Sequence, residues 1–118
     1  MLKRHKKTRI KSKVWIEDSR GRVVFGPGRM RILEAVKRRG SLNAAAKDLG
    51  MSYRGLWGKL KTTEAALGKP LLAKSAGGVA GGGSTLTPYA DKIIRRYNRL
   101  KQAIRQETDR LFEEDFKK

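Results

Sequence analysis

Short apolar runs and stretches of helical periodicity alternate along the chain, separated by glycine-marked breaks. Val14-Trp15-Ile16 and Arg22-Val23-Val24-Phe25 are β-type runs. Asp18-Ser19-Arg20-Gly21 between them supplies turn chemistry, so a hairpin is predicted. Gly26-Pro27-Gly28 ends that pattern and starts a helix. Met30, Ile32, Leu33 and Val36 then fall on one helical face, closed by Gly40. Ser41 caps a short helix ending at Leu49, with Leu42, Ala45, Ala46 and Leu49 on its apolar side. Gly50-Met51 makes a tight turn, and Ser52 caps a helix that runs to Leu67 and closes at Gly68. Two short helices joined by a glycine-containing turn of about three residues match a helix-turn-helix.

Beyond Lys69-Pro70, Leu71-Leu72-Ala73-Lys74-Ser75 reads as a strand and Ser84-Thr85-Leu86-Thr87 as its return. The glycine-rich stretch 76–83 between them is read as a wing, with a plain linker as the alternative. Thr87-Pro88 starts a helix, Thr as N-cap and Pro in the first position. That helix is predicted from Pro88 to Glu114, on the order of 40 Å at 1.5 Å per residue. Ile93, Tyr97, Leu100, Ile104 and Leu111 repeat at spacings of 4, 3, 4 and 7, a coiled-coil-like seam interrupted by Glu107. Because the helix outreaches so small a domain, the seam is expected to join two copies; packing back on its own domain, or a monomeric exposed helix, are the plainer alternatives.

Composition narrows the function. The chain has 118 residues, one domain's worth, and its apolar share of 38% is ordinary for a folded protein once glycine is added. The charge is not ordinary: 29 Lys and Arg against 11 Asp and Glu leave a net +18. A domain so basic repels itself unless a polyanion is near, and nucleic acid is the first such partner. Lys3, Arg4, Lys6, Lys7, Arg9, Lys11 and Lys13, with no acid among them, make residues 1–13 a disordered basic arm. Such an arm lies along a phosphate backbone or in a groove, or is a solvated tail or localisation signal. Most of the charge surplus nevertheless belongs to the folded part.

Several chemistries drop out. Without Cys there is no disulfide, thiolate zinc site or thiol nucleophile, and the single His5 in the arm removes a His-based triad or metal cluster. Gly83 rather than Lys precedes Ser84, so the glycine loop is not a nucleotide-binding phosphate loop. No catalysis, cofactor or metal is expected. No apolar run approaches the roughly 20 residues of a membrane span, so a cytoplasmic, nucleoid-associated protein is expected.

On the helix after Ser52, at about 100° per residue, Leu56, Leu60, Thr63 and Leu67 share the core face, with Tyr53 and Trp57 toward its edge. Arg54, Gly55, Gly58, Lys61 and Thr62 lie opposite. Two glycines inside a helix cost about 1 kcal/mol each relative to Ala. On an exposed face they let the backbone approach a DNA groove flanked by Arg54 and Lys61. The bland alternative is a weak helix facing solvent. Ser52, Tyr53 and Arg54 begin the helix, where base edges are reached, and Arg54 suits a bidentate guanine contact. Lys61, Lys74 and the wing are expected on phosphates. Ser41, Asn43, Ser75 and Thr85 complete the expected DNA-binding set. Trp15 and Trp57 are read as core aromatics.

Gly40-Ser41-Leu42, Ala45-Ala46, Leu49-Gly50-Met51-Ser52, Glu64, Leu67-Gly68, Pro70-Leu71-Leu72, Lys74 and Leu86-Thr87-Pro88 resemble the winged helix-turn-helix of LysR-type regulators. The closer likeness is to the DNA-binding domain of the molybdate-responsive ModE family. Its motifs are similar to Ser52-Tyr53-Arg54 with Trp57 and to the Gly77-Gly78 and Gly81-Gly82-Gly83 wing before Leu86-Thr87. The resemblance covers roughly residues 14–105. It implies a bacterial or archaeal transcription factor that binds palindromic operators as a dimer through the helix beginning at Ser52.

Two departures matter. LysR-type domains usually place Gln and Ser or Thr where Tyr53 and Trp57 stand, so their base readout does not transfer. ModE regulators also carry a C-terminal molybdate-binding region, whereas this chain stops after the long helix. No effector domain of its own is therefore expected, and a signal would come from a separate partner.

The expectation is a mostly α fold with small β: a winged helix-turn-helix over 14–87, an N-terminal β-hairpin, and a long dimerisation helix over 88–118. Its partners are double-stranded DNA and a second copy. The rival readings are a nonspecific architectural nucleoid-type protein and a basic RNA-binding protein.

Overall fold

A computed structural model describes residues 7–74 and 83–118. The first hairpin pairs β1 (Ile16–Glu17) antiparallel with β2 (Val23–Phe25). Asp18 shapes its turn, one carboxylate oxygen accepting the amides of Arg20 at 2.9 Å and Arg22 at 3.0 Å. The backbone amide of Arg22 is the leading cause that holds the Asp18 carboxyl below its ordinary pKa.

Three helices follow, each stopped by a glycine in the left-handed region: α1 (Pro27–Arg39) by Gly40, α2 (Leu42–Leu49) by Gly50 and α3 (Tyr53–Leu67) by Gly68. The Ser41 hydroxyl accepts the Ala44 amide and the Ser52 hydroxyl accepts the Gly55 amide, both at 3.0 Å, as N-cap residues do. A second hairpin pairs β3 (Leu72–Lys74) with β4 (Ser84–Leu86) in the register Leu72–Leu86, Ala73–Thr85, Lys74–Ser84. Ser75 and residues 76–82 of the glycine-rich tip, with the first six residues of the arm, lie outside the described residues. Thr87 caps α4 (Pro88–Leu111), accepting the Ala90 amide at 3.1 Å while donating to the Pro70 carbonyl at 2.9 Å. The helix widens into a π-helical turn over Phe112–Phe116.

The core gathers Phe25, Ile32, Leu33, Val36, Leu56, Leu60 and Leu71 around the small residues Ala35, Ala45 and Ala90. Each large side chain buried there contributes about 1.5–3 kcal/mol. Buried Thr63 is satisfied by donating to the Val24 carbonyl at 2.7 Å. Both hairpins are pinned to helices, the first by that Thr63 bond and the second by the Ser84 amide, which donates to the Gly40 carbonyl at the end of α1 at 3.0 Å. The Thr87 amide closes the second hairpin on the Leu71 carbonyl, also at 3.0 Å.

Three sequence expectations change here. Trp15 and Trp57 are not core residues, being 49% and 45% exposed. Trp15 lies across Gly26, where an added Cβ would meet the Trp15 Cβ at 2.9 Å, and its indole donates to Glu17 at 2.7 Å. Tyr97, expected at the seam, points into its own domain. It is 3% exposed, edge-on to Phe25, with its hydroxyl donating to the Val14 carbonyl at 2.6 Å. The arm, expected to stand free, lies along α4 over Ile10–Lys13, where it closes a cavity of about 250 Å³. No helix among the described residues is long and apolar enough to cross a membrane.

Candidate nucleic-acid interface

Helix α3 presents the candidate surface, and its orientation is set from behind. Leu56 and Leu60 are fully buried beneath it. Glu64 ties it to the second hairpin, accepting the amides of Leu71 at 2.7 Å and Leu72 at 3.2 Å. Partial burial pushes this carboxyl upward in pKa. The amides of Leu71 and Leu72 and the Lys61 ammonium outweigh that, and the group lies below its ordinary value.

The outward strip of α3 carries Tyr53, Arg54, Trp57, Gly58 and Lys61 in succession, at about 100° per residue. Tyr53 and Trp57 are each 45% exposed, and Arg54 and Gly55 are exposed beside them. A Cβ added at Gly58 would meet nothing within 4 Å, so the backbone there is open to approach; at Gly55 it would meet the Ser52 hydroxyl at 3.1 Å. Lys61 is held at 3.1 Å from Glu64, with its ammonium 5.4 Å from the Trp57 ring centre. Thr62, expected toward DNA, spends its hydroxyl on the Gly58 carbonyl at 3.0 Å.

The remaining candidates are distributed around this strip. Asn43 is exposed on α2, while the Ser41 hydroxyl is committed to its cap. Lys74 is exposed at the end of β3. Thr85, opposite Ala73 on β4, donates weakly to the Ala73 carbonyl at 3.3 Å. Among the seam residues, Ile93 packs on the core, Ile104 is half-buried, and Leu100 and Leu111 are 43% and 42% exposed.

Two cationic clusters were not anticipated. Arg29, Arg31 and Lys59 line a cleft of about 350 Å³ between α1, the end of α2 and α3. Arg29 reaches the Val23 carbonyl at 3.3 Å, leaves its Nε buried without a partner, and is pushed below its ordinary pKa by burial. The signal in the sequence was a first turn of α1 that holds arginine and no acid, against the helix dipole. Lys11 and Lys13 of the arm meet Lys101 and Arg105 of α4 around the arm cavity. Among the described residues no cluster of His, Cys, Asp and Glu fits a metal ion.

Residues 27–91 match the family model described as the bacterial regulatory helix-turn-helix protein, lysR family. The chain belongs to that family. This LysR-type domain is 40% identical over 85 residues to the molybdenum transport protein ModE of Azotobacter vinelandii, an alignment covering 72% of this chain and 32% of that protein. It is 32% identical over 89 residues to the DNA-binding transcriptional dual regulator ModE of Escherichia coli K12, covering 75% of this chain and 34% of that protein. The chain thus spans about a third of the length of the curated relatives it matches. Among solved structures, the LysR-type fold is similar to the CbnR DNA-binding domain in complex with DNA. That match has a TM-score of 0.54 and 26% identity, and covers 70% of this chain and 90% of the other.

Proposed function

We propose that this LysR-type domain is a sequence-specific, double-stranded DNA-binding regulator of transcription that acts as a homodimer, with α3 in the major groove and the second hairpin against the backbone. The observation that carries the reading is the exposed strip of α3. Arg54, Trp57 and Gly58 stand outward on a helix whose opposite side is locked into the core. The molecule's chemistry is recognition rather than catalysis, and work on chromosomal DNA makes it a cytoplasmic, nucleoid-associated protein.

Roles divide along the strip. Arg54 supplies a bidentate guanine contact, worth about 1–3 kcal/mol of discrimination. Lys74 and the wing supply phosphate contacts, which set register and affinity without reading sequence. Lys61, paired with Glu64, reaches a phosphate only by exchanging that partner.

Selection of duplexes from a random library at two salt concentrations tests the proposal. A palindromic motif that survives the higher salt is the expected result, and Arg54→Ala should lose preference at one position of each half-site by about 1–3 kcal/mol. No motif, with affinity collapsing as salt rises, would favour the architectural reading, for which the net charge of +18 is the supporting observation.

A further inference from the structure

We infer that Trp57 reads the 5-methyl group of thymine in the major groove, which makes it a specificity-determining residue of α3. The inference rests on α3 being the recognition helix and adds the base class that one of its residues selects.

A half-exposed indole on a helix face open to water loses the gain its burial would bring, so its apolar surface is available to a ligand. Its hydrogen-bonding capacity is a single N–H donor, with no acceptor. Of the features that base pairs display in the major groove, the thymine methyl is the one sizeable apolar group; the rest are donors, acceptors or the small C–H of cytosine. The ring face therefore matches that group best, since cytosine and guanine edges offer no apolar group of comparable size. Tyr53, one turn earlier and equally exposed, widens the same apolar strip.

The surroundings keep the indole in this role. Lys61 lies against the ring and is tethered by Glu64, so one side of the indole is already covered by a cation. Gly58, the next residue, adds no side chain between helix and groove, and its added Cβ would meet open space. The helix can then approach until the indole touches a methyl. Arg54 stands beside it on the strip, so a guanine contact and a thymine contact fall within one half-site.

The test uses the duplexes recovered by selection, resynthesised with uracil in place of every thymine. This exchange deletes the methyl groups and keeps every base pair. Wild-type protein should bind the uracil copy about fourfold more weakly for each methyl it contacts. Trp57→Gln, a substitution outside the core, should bind the two copies equally, with its folding checked by thermal melting. Equal binding by the wild type, or an undiminished thymine preference in Trp57→Gln, overturns the assignment and leaves the regulator standing. A selection that yields no motif removes the regulator itself and the thymine assignment with it.

Discussion

Gly55 and Gly58 lie on the same helix and meet different surroundings. A methyl at Gly58 enters open space, whereas one at Gly55 presses on the Ser52 hydroxyl that caps the helix. Gly58→Ala should therefore stabilise the isolated protein by about 1 kcal/mol, the helix propensity of Ala over Gly. The same methyl would stand between helix and groove, so affinity for selected duplexes should fall by about 1–3 kcal/mol, the usual range for overpacking a close contact. Melting curves and a binding titration on one preparation check both signs. Unchanged DNA affinity would show that the glycine serves no close approach.

Caps and turn glycines were legible in the sequence because their chemistry is local: Ser41, Ser52 and Thr87 need only the amides that follow them. Trp57 was not. An indole at the margin of a helical stripe turns inward or outward according to what packs beside it, and its own helix does not say. The same holds for Trp15, whose seat on Gly26 depends on how the chain returns after the hairpin.

At the scale of elements, α3 and β3 are joined through one carboxylate. Glu64 takes the amides of Leu71 and Leu72, bonds of the charge-assisted kind that are worth about 1.5–3 kcal/mol each. Because its folded-state pKa is lowered, the stability it supplies is present above the ordinary carboxylate value and is lost as pH falls through the native one. Glu64→Gln should cost about 1–3 kcal/mol at neutral pH. That gap should close as the medium is acidified, which melting curves over a pH series would record; a constant gap down to strong acid would sink the account. Asp18 works in the same direction at the first hairpin. Helix boundaries and strand pairing followed from periodicity and caps. The tie through Glu64 could not, because it joins a helix to backbone amides beyond the intervening turn.

For the whole molecule, the question is what covers α4. Ile16, Leu67, Ile93 and Leu100 border an apolar cavity of about 120 Å³, with Ile16 and Leu100 each more than two-fifths exposed. This is the surface we propose for the second copy. Leu100→Lys should leave the domain folded, since the side chain is outside the core, and should convert the dimer to a monomer in sedimentation. A dimer that persists would move the interface elsewhere. The seam's spacing was visible in the sequence, but its rotation was not. Phe25, far away in sequence, draws Tyr97 inward and so decides which seam residues remain outside.

That inward turn of Tyr97 has a geometric consequence. Its ring is wedged against Phe25 and its hydroxyl is tied to Val14, so α4 cannot roll about its own axis without breaking both contacts. In the dimer we propose, a second copy docking on Leu100 meets a single azimuth. The separation of the two α3 helices becomes a fixed gauge rather than an adjustable span. One extra base pair between half-sites turns one of them by about 34° around the duplex. A rigid gauge could not follow that turn, so under the proposed dimer spacing itself would be part of the code.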